Sequence, residues 1–182
     1  LWGSYSFMND MLLYSNYILV NSPVVIYRGQ YFKPLYDDAE ILNLHGDISG
    51  EVTDKISFSG SANLYRYTMT RYDYAYSMPR WDGRVGLSYN LRDKILAGFG
   101  AKGLGSRMAL VTTEDQSGFV APSFETIELP FSLSFDISAE YRYTRILSFW
   151  LKLDNISFSR QYEWAFYPSQ RFFLVAGFKY SL

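Results

Sequence analysis

The sequence predicts an all-β protein, and specifically an antiparallel up-and-down transmembrane β-barrel, on three observations. Apolar and polar residues alternate without error from Phe131 to Tyr143, which is about twice the length of an ordinary strand. Aromatic residues make up 19% of the chain, whereas the mean hydropathy is only −0.10, as expected where apolar wall positions alternate with polar ones. Short polar turns also alternate with long connections, which in such barrels face the periplasm and the outside respectively.

The two-residue period delimits each element in turn, because apolar residues occupy every second position between polar turns. About nine strands are predicted in this way, at 1–8, 11–21, 39–51, 55–68, 79–91, 94–104, 127–142, 145–156 and 170–182. Short turns are expected at Met8–Asp10, Val52–Lys55, Leu91–Lys94 and Tyr143–Arg145. The longer connections, expected to be extracellular loops, are 22–38, 68–78, 105–126 and 157–169. The aromatic pairs expected to mark the membrane interfaces are Tyr65 and Tyr67, Tyr141 and Tyr143, and Phe172 and Phe173.

The odd strand count leaves two arrangements open, because bacterial single-chain barrels have even strand numbers. The chain is either the C-terminal part of a larger barrel or a complete eight-stranded barrel with an N-terminal extension and a structural or adhesion role. A soluble β-sandwich or lipocalin-like barrel fits less well, since the polar faces carry serine, glycine and asparagine rather than dense lysine and glutamate. The chain begins at Leu1 without a signal-peptide pattern, so we expect a mature product or a fragment of something longer.

Composition and charge exclude several classes of function. The 17 basic and 18 acidic side chains give a net charge of −1, which lacks the basic footprint of a nucleic-acid-binding protein. The absence of cysteine rules out disulfides, thiolate metal sites and cysteine nucleophiles. The longest uncharged stretch, from Met11 to Tyr27, is interrupted by polar residues and Pro23, so no transmembrane helix is predicted.

The segment Leu129–Leu182 carries a more specific pattern. Its motifs, in chain order, are Leu129-Pro130, Asp154-Asn155-Ile156, Arg160-Gln161-Tyr162, Tyr167-Pro168 and Arg171-Phe172. This order resembles the closing strands of TonB-dependent outer-membrane receptors, and Pro79–Arg107 is similar to the preceding hairpin of that family. Two positions depart from the pattern: Ile156-Ser157 stands where a Leu-Phe pair is usual, and Leu182 stands where an aromatic residue is expected.

The resemblance implies the closing wall of a 22-stranded barrel in the bacterial outer membrane, with residues 1–182 as a barrel segment that contains no plug domain. Such receptors take up ligands: extracellular loops capture the substrate, and a plug moved by TonB opens the path. The implied partners are outer-membrane lipid and lipopolysaccharide, the barrel-assembly machinery that reads the terminal strand, the TonB system through a region outside these residues, and a surface lipoprotein or other subunits. No enzymatic activity and no cofactor are expected.

Two groups of residues are candidates for function. Loop residues that could contact a ligand or lipopolysaccharide, since arginine pairs with phosphate and tyrosine offers a stacking face, are Arg71, Tyr72, Tyr74, Tyr76, Arg80 and Trp164. An ordinary interface belt with loop charges is the simpler interpretation of the same residues. Polar strand positions expected to face the lumen are His45, Asp47, Asp136, Glu140 and Lys152.

Two further chemistries are considered and set aside. His45, the one histidine, has no accompanying nucleophile motif, so a hydrogen-bonding role in the lumen is expected instead of catalysis. Asp37, Asp38 and Glu40 could ligate calcium through oxygen, but no spaced ligand pattern follows them. We therefore expect a solvated loop rim there, with no catalytic residue and no metal site.

Overall fold

The chain folds as a long antiparallel wall that carries additional strands at one end. A computed structural model describes residues 1–20, 30–115 and 121–181. The strands in these ranges are β1 (Trp2–Val20), β2 (Gln30–Thr53), β3 (Ile56–Met69), β4 (Trp81–Leu91), β5 (Ile95–Leu104), β6 (Arg107–Asp115), β7 (Ser123–Leu129), β8 (Ser132–Arg142), β9 (Leu147–Asp154), β10 (Tyr162–Trp164), β11 (Tyr167–Pro168) and β12 (Phe173–Tyr180). Within the same ranges, no helix is long and apolar enough to cross a membrane.

Eight strands form the wall as an up-and-down meander. They lie in the order β1-β2-β3-β4-β5-β8-β9-β12, and every neighbouring pair is antiparallel. This confirms the predicted fold class. In the part of the chain that the structure describes the wall stays open, because β12 pairs with β9 alone and not with β1. The closure that a complete eight-stranded barrel requires is therefore not seen in these residues.

The wall has one apolar and one polar face, because each row of cross-strand neighbours contains side chains of one kind. Leu44 pairs with Leu64, whereas the adjacent His45 pairs with Asn63. The apolar face is not a protein core, since Phe178 on it leaves 70% of its surface exposed. A contiguous exposed apolar face of this size has to be covered by a partner protein or by lipid, and on the outside of a barrel wall it is lipid that covers it.

Aromatic residues form two belts on the apolar face. Trp81 stacks on Phe131 near the loop end of the wall, with ring centroids 5.6 Å apart. Tyr89 and Tyr141 lie near the short-turn end, and Tyr143 follows in the turn after β8. Trp81 and Tyr89 are eight residues apart on β4, which at about 3.3 Å per residue and a tilt of about 40° corresponds to roughly 20 Å of depth. That depth is close to the apolar band of an outer-membrane barrel, about 25 Å tall, and in such barrels the long loops lie outside the cell and the short turns in the periplasm.

The expected interface position of Tyr65 and Tyr67 is wrong. Both pair with residues of the polar face, Tyr65 with Asn43 and Tyr67 with Ile41. Their rings stack on each other at 5.9 Å. Because side chains alternate along β3, these two continue the row of Asn63 and not the apolar row, so they face away from the lipid.

The turn expected at Met8–Asp10 is also wrong, because β1 runs through it with a β-bulge. The register of β1 on β2 shifts between Met8 and Met11. Asp10 adopts a φ of 51°, and its N–H donates to the Asp38 carboxylate at 3.0 Å. A one-residue bulge reverses the side-chain phase, so Met11 and Leu13 point to the polar-face side, where loops bury them. The predicted first two strands are therefore one strand.

The expected loop 105–126 contains a strand and the start of another. β6 leaves β5 after two residues, pairs with β7, and lies parallel to the upper half of β1, with Ser15 opposite Leu110. Ala109, Leu110 and Val111 are all buried, so this strand is covered on both faces and lacks the alternation that marks the wall. The predicted strand 127–142 divides into β7 and β8 at Pro130, which lacks a backbone N–H for the ladder.

Two of the other three expected loops carry strands as well. Residues 30–38 continue β2 beyond the membrane, and 157–169 contains the β10–β11 hairpin. The part of the 22–38 prediction that covers 22–29, and residues 116–120 of the 105–126 prediction, lie outside the described residues.

Candidate functional site

A cleft opens at the extracellular end of the wall, between the top of β3, the 70–80 segment and the β6–β7 hairpin. It encloses ≈ 450 Å³. Its lining is rich in tyrosine, arginine and acidic side chains, namely Tyr65, Tyr67, Tyr74, Arg66, Arg80, Arg107, Asp73 and Glu128. The mixture of stacking faces with fixed charges is suited to a ligand that carries both rings and polar groups.

The 70–80 segment is fastened to the wall by the Asp37 carboxylate. The N–H of Arg71 donates to both carboxylate oxygens at 3.0 Å, and the N–H of Tyr72 donates to Oδ2 at 3.0 Å. The N–H of Asp38 donates to Oδ1 at 2.8 Å. Asp37 is only 1% exposed, so these donors replace the water that the buried charge would otherwise need.

Apolar packing fixes the far side of the same segment. Tyr76 is buried against Leu13 and Leu110, and the N–H of Ser77 donates to the carbonyl of Met108 at 2.7 Å. The segment therefore joins β1, β2 and β6 into one extracellular unit, and the walls of the cleft are held in place before any ligand arrives.

Asp37 gives this unit a defined response to acid. Burial opposes ionisation, but the N–H groups of Arg71, Tyr72 and Asp38 and the charge of Arg71 outweigh it and hold the pKa of Asp37 below its ordinary value. A carboxyl whose pKa is lowered on folding stabilises the fold above its unfolded pKa, and the stabilisation is lost as pH falls through the folded value. We expect the 70–80 segment to stay protected from hydrogen exchange down to the ordinary aspartate pKa and to open only below it. Opening already at pH 5 to 6 in Asp37-intact protein would contradict this expectation.

Arg107 is the buried charge of the cleft. It is 8% exposed, its guanidinium donates to the carbonyl of Tyr162, and its Nε has no hydrogen-bond partner in the described part of the chain. Burial lowers the pKa of Arg107, and the neighbouring Glu163 opposes that shift. Arginine stays protonated even so, which leaves a positive charge in a poorly hydrated position beside the exposed Arg80.

The structure divides the six predicted loop residues. Tyr74 and Arg80 line the cleft. Arg71 and Tyr72 lie in the fastened segment, and Tyr76 is buried beneath it. Trp164 lies elsewhere, with its ring edge-on to Tyr14 at 5.5 Å and Phe32 at 5.3 Å.

Sequence reasoning missed several lining residues of the cleft. Tyr65 and Tyr67 are at alternate positions of β3 that continue the polar row of Asn63. The alternation of side chains along β3 was therefore enough to predict that they lie on the polar face. Arg107 and Glu128 lie in strands that close onto β1 through a contact between distant parts of the chain, and no local pattern marks that contact.

The five residues expected in the lumen all lie on the polar face. His45 accepts or donates to Asn63 at 2.6 Å and pairs with Asp47 at 2.7 Å. The other three form ion pairs or charged hydrogen bonds along the same face: Lys102 with Asp136 at 2.7 Å, Arg142 with Glu140 at 3.4 Å, and Lys152 with Asp154 at 2.9 Å. That this face lines a lumen remains a prediction.

The two chemistries set aside from the sequence find no new support. Both ring nitrogens of His45 are engaged by neighbours, as above, so the ring acts as a link between β2 and β3. Both carboxylate oxygens of Asp37 accept hydrogen bonds from backbone N–H groups. The Glu40 carboxylate accepts a hydrogen bond from the Tyr5 hydroxyl at 2.6 Å. Within residues 1–20, 30–115 and 121–181, no group of three or more histidine, cysteine or acidic residues could hold a metal ion.

The architecture is that of the wall of an outer-membrane β-barrel: an antiparallel sheet with an exposed apolar face, aromatic belts and structured loops around a cleft. Comparison with solved structures leads to the same fold. The pyoverdine outer membrane receptor FpvA from Pseudomonas aeruginosa PAO1, bound to pyoverdine, is 15% identical with a TM-score of 0.67, over 99% of this chain and 26% of that chain. The copper transporter OprC is 17% identical with a TM-score of 0.62, over 88% and 23%.

The ferric-catecholate import receptor Fiu from K12 E. coli is 15% identical with a TM-score of 0.61, over 97% of this chain and 24% of that chain. No protein-family model and no curated protein matches the sequence. The chain thus has the fold of TonB-dependent receptor barrels and spans about a quarter of their length. The matched proteins include an outer membrane receptor, an import receptor and a transporter, and the similarity shows the fold that this chain shares with them.

Proposed function

We propose that this protein is a TonB-dependent uptake receptor whose extracellular cleft captures a ligand before transport. The observation that carries the proposal is the position of the cleft, at the outer mouth of a wall whose other polar residues lead away from it toward the opposite end. A ligand bound there would lie between solvent and the polar face. The plug and the TonB-contacting segment would belong to sequence outside residues 1–182.

The lining of the cleft favours a ligand with acidic oxygen atoms and flat rings. Arg80 is exposed, and Arg107 is buried with an Nε that has no hydrogen-bond partner among the described residues. Both guanidinium groups therefore favour a negatively charged group on the ligand. Tyr65 and Tyr67 offer stacked rings on the same wall. Ferric siderophores have this chemistry, and pyoverdine and ferric catecholates are the ligands of two matched receptors. Copper, the cargo of a third, is a second candidate to be tested with them.

The other partners stay proposals. Outer-membrane lipid would cover the apolar face, and lipopolysaccharide would meet the aromatic belt at Trp81 and Phe131. Assembly of the wall would depend on the barrel-assembly machinery through β12. A surface lipoprotein or further subunits would have to dock on the extracellular loops.

Uptake of iron-loaded siderophores and of copper in cells that express or lack the protein tests the proposal. We expect uptake of one of these cargoes to require both the protein and an intact TonB system. R80Q should weaken cargo binding by about tenfold or more, since it removes a charge-assisted contact. R145Q is the matched control, because Arg145 is exposed in the short turn at the other end of the wall. Equal uptake with and without the protein, for every cargo, would refute the proposed function.

A further inference from the structure

Strand β7 is an open sheet edge outside the membrane. It ends the ten-stranded sheet, and in the described part of the chain β6 is its one neighbour. Its residues from Ser123 to Thr126 are exposed, as is Glu128, and Phe124 leaves 67% of its surface exposed. Unpaired N–H and C=O groups along such an edge are a template for one more strand.

The devices that usually protect an edge strand are scarce here. β7 contains no lysine, no proline and no bulge: proline flanks it at Pro122 and Pro130 but does not interrupt it. The two charged residues on it are Glu125 and Glu128, and both are exposed. These glutamates repel an acidic partner strand and attract a basic one, so they select the partner strand by its charge.

The β6–β7 hairpin itself is predominantly acidic. Its sequence contains four acidic residues, Glu114, Asp115, Glu125 and Glu128, and one basic residue, Arg107, which is buried opposite Leu129 and engaged with Tyr162. A strand that joins β7 therefore has to bring positive charge. Residues directly opposite across a sheet lie about 5 Å apart, close enough for each glutamate to pair with one basic side chain.

We propose that β7 binds an extended basic segment of a partner polypeptide, which adds to the sheet as an eleventh strand. Glu125 and Glu128 point to opposite faces of the sheet because they are three residues apart. The partner strand, antiparallel to β7, then carries a basic residue opposite Glu128, another three positions later opposite Glu125, and an apolar residue next to it opposite Phe124. This inference does not depend on transport, since it concerns the backbone edge of β7, although the side chain of Glu128 also lines the cleft.

Synthetic peptides of about nine residues test the proposal on the purified protein in detergent micelles. One peptide carries Lys-Thr-Val-Lys-Ile at its centre, and its controls are a scrambled peptide of the same composition and a version with both lysines replaced by glutamate. We expect the first peptide to bind and both controls to bind at least about tenfold more weakly. Only in the first peptide does the strand register place each lysine opposite a glutamate of β7. Failure of the first peptide to bind, or equal binding of the scrambled one, overturns the proposal.

Backbone pairing is tested in the same peptide. N-methylation at alternate residues blocks the N–H groups on one edge of the peptide and leaves those on the other edge free. Methylation of the N–H groups that face β7 should abolish binding, whereas methylation of the N–H groups on the other edge of the peptide should leave binding unchanged. Equal effects of the two sets would mean that no strand is added, and would overturn the proposal.

The protein side is tested by charge reversal. E125K/E128K should abolish binding of the lysine peptide and create binding of the glutamate peptide. E51K/D54K is the matched control, since Glu51 and Asp54 are exposed near the short turn after β2. Folding of each variant is checked by its heat-modifiable gel mobility. Unchanged binding of the lysine peptide to folded E125K/E128K would overturn the proposal.

Discussion

Replacing Asp37 with alanine is expected to release the 70–80 segment while the wall stays folded. The substitution leaves the N–H groups of Asp38, Arg71 and Tyr72 without their acceptor. Each lost bond to a charged group costs about 1.5–3 kcal/mol in a buried position, so a local loss on the order of 3 kcal/mol is expected even after partial rehydration. Hydrogen exchange at Arg71 and Tyr72 should then be faster by about a hundredfold.

Two variants control for that result. D37N keeps one side-chain oxygen as acceptor and should give an intermediate exchange rate. D73A removes an exposed acid from the same segment, one without a hydrogen bond to the wall in the described residues, and should leave exchange at Arg71 unchanged. Ligand binding in the cleft should fall in D37A, because Tyr74 would lose its fixed position. Exchange rates in D37A equal to those of the parent protein would show that Tyr76 packing alone holds the segment.

Inserting one alanine between Leu12 and Leu13 is expected to have the largest effect of any single change in the extracellular unit. The extra residue shifts the upper half of β1 by one position relative to β2, and every side chain from Leu13 onward turns to the other face. Leu13, 1% exposed in the parent, would leave its cluster with Tyr76 and Leu110. Loss of a buried leucine alone costs about 2–5 kcal/mol, so the unit as a whole should not form.

Limited proteolysis of membrane-inserted protein measures this effect. New cleavage is expected within 11–20 and 70–80, with the wall strands β3 to β5 still protected. Deletion of Asp10 is the matched control, because it removes the one extra residue of the bulge and leaves Met11 opposite Asp37. Parent-like resistance of the insertion variant would mean that a wider bulge absorbs the extra residue.

The membrane wall could be predicted from the sequence because its physics is local. Lipid on one side and a polar interior on the other impose a period of two on every strand, so the pattern at Phe131 to Tyr143 determines both the strand and its faces. Local patterns specify poorly which face of the sheet a side chain takes after an irregularity, and whether the chain reverses its direction there. A bulge and a turn both interrupt the alternation, which is why Met8–Asp10 was interpretable either way.

The extracellular unit could not be predicted in the same manner. Outside the bilayer the apolar side chains are buried by other loops, not by lipid, so Ala109 and Val111 show no alternation. The cleft depends on contacts such as Ser77 with Met108, which join segments that lie far apart in the sequence. Arg80 and Tyr74 were recognised by residue type, whereas Arg107 required the topology.

The parallel pairing of β1 with β6 also sets an order of events during assembly. The wall hairpins β2–β3 and β4–β5 join residues that are neighbours along the chain, so each closes as soon as its two strands have been delivered. The bond between Ser15 and Leu110 spans 95 residues. The upper half of β1 therefore stays without this partner until the wall strands β2 to β5 and then β6 have been delivered, so we expect the pairing of β1 with β6 to form more slowly than the wall hairpins.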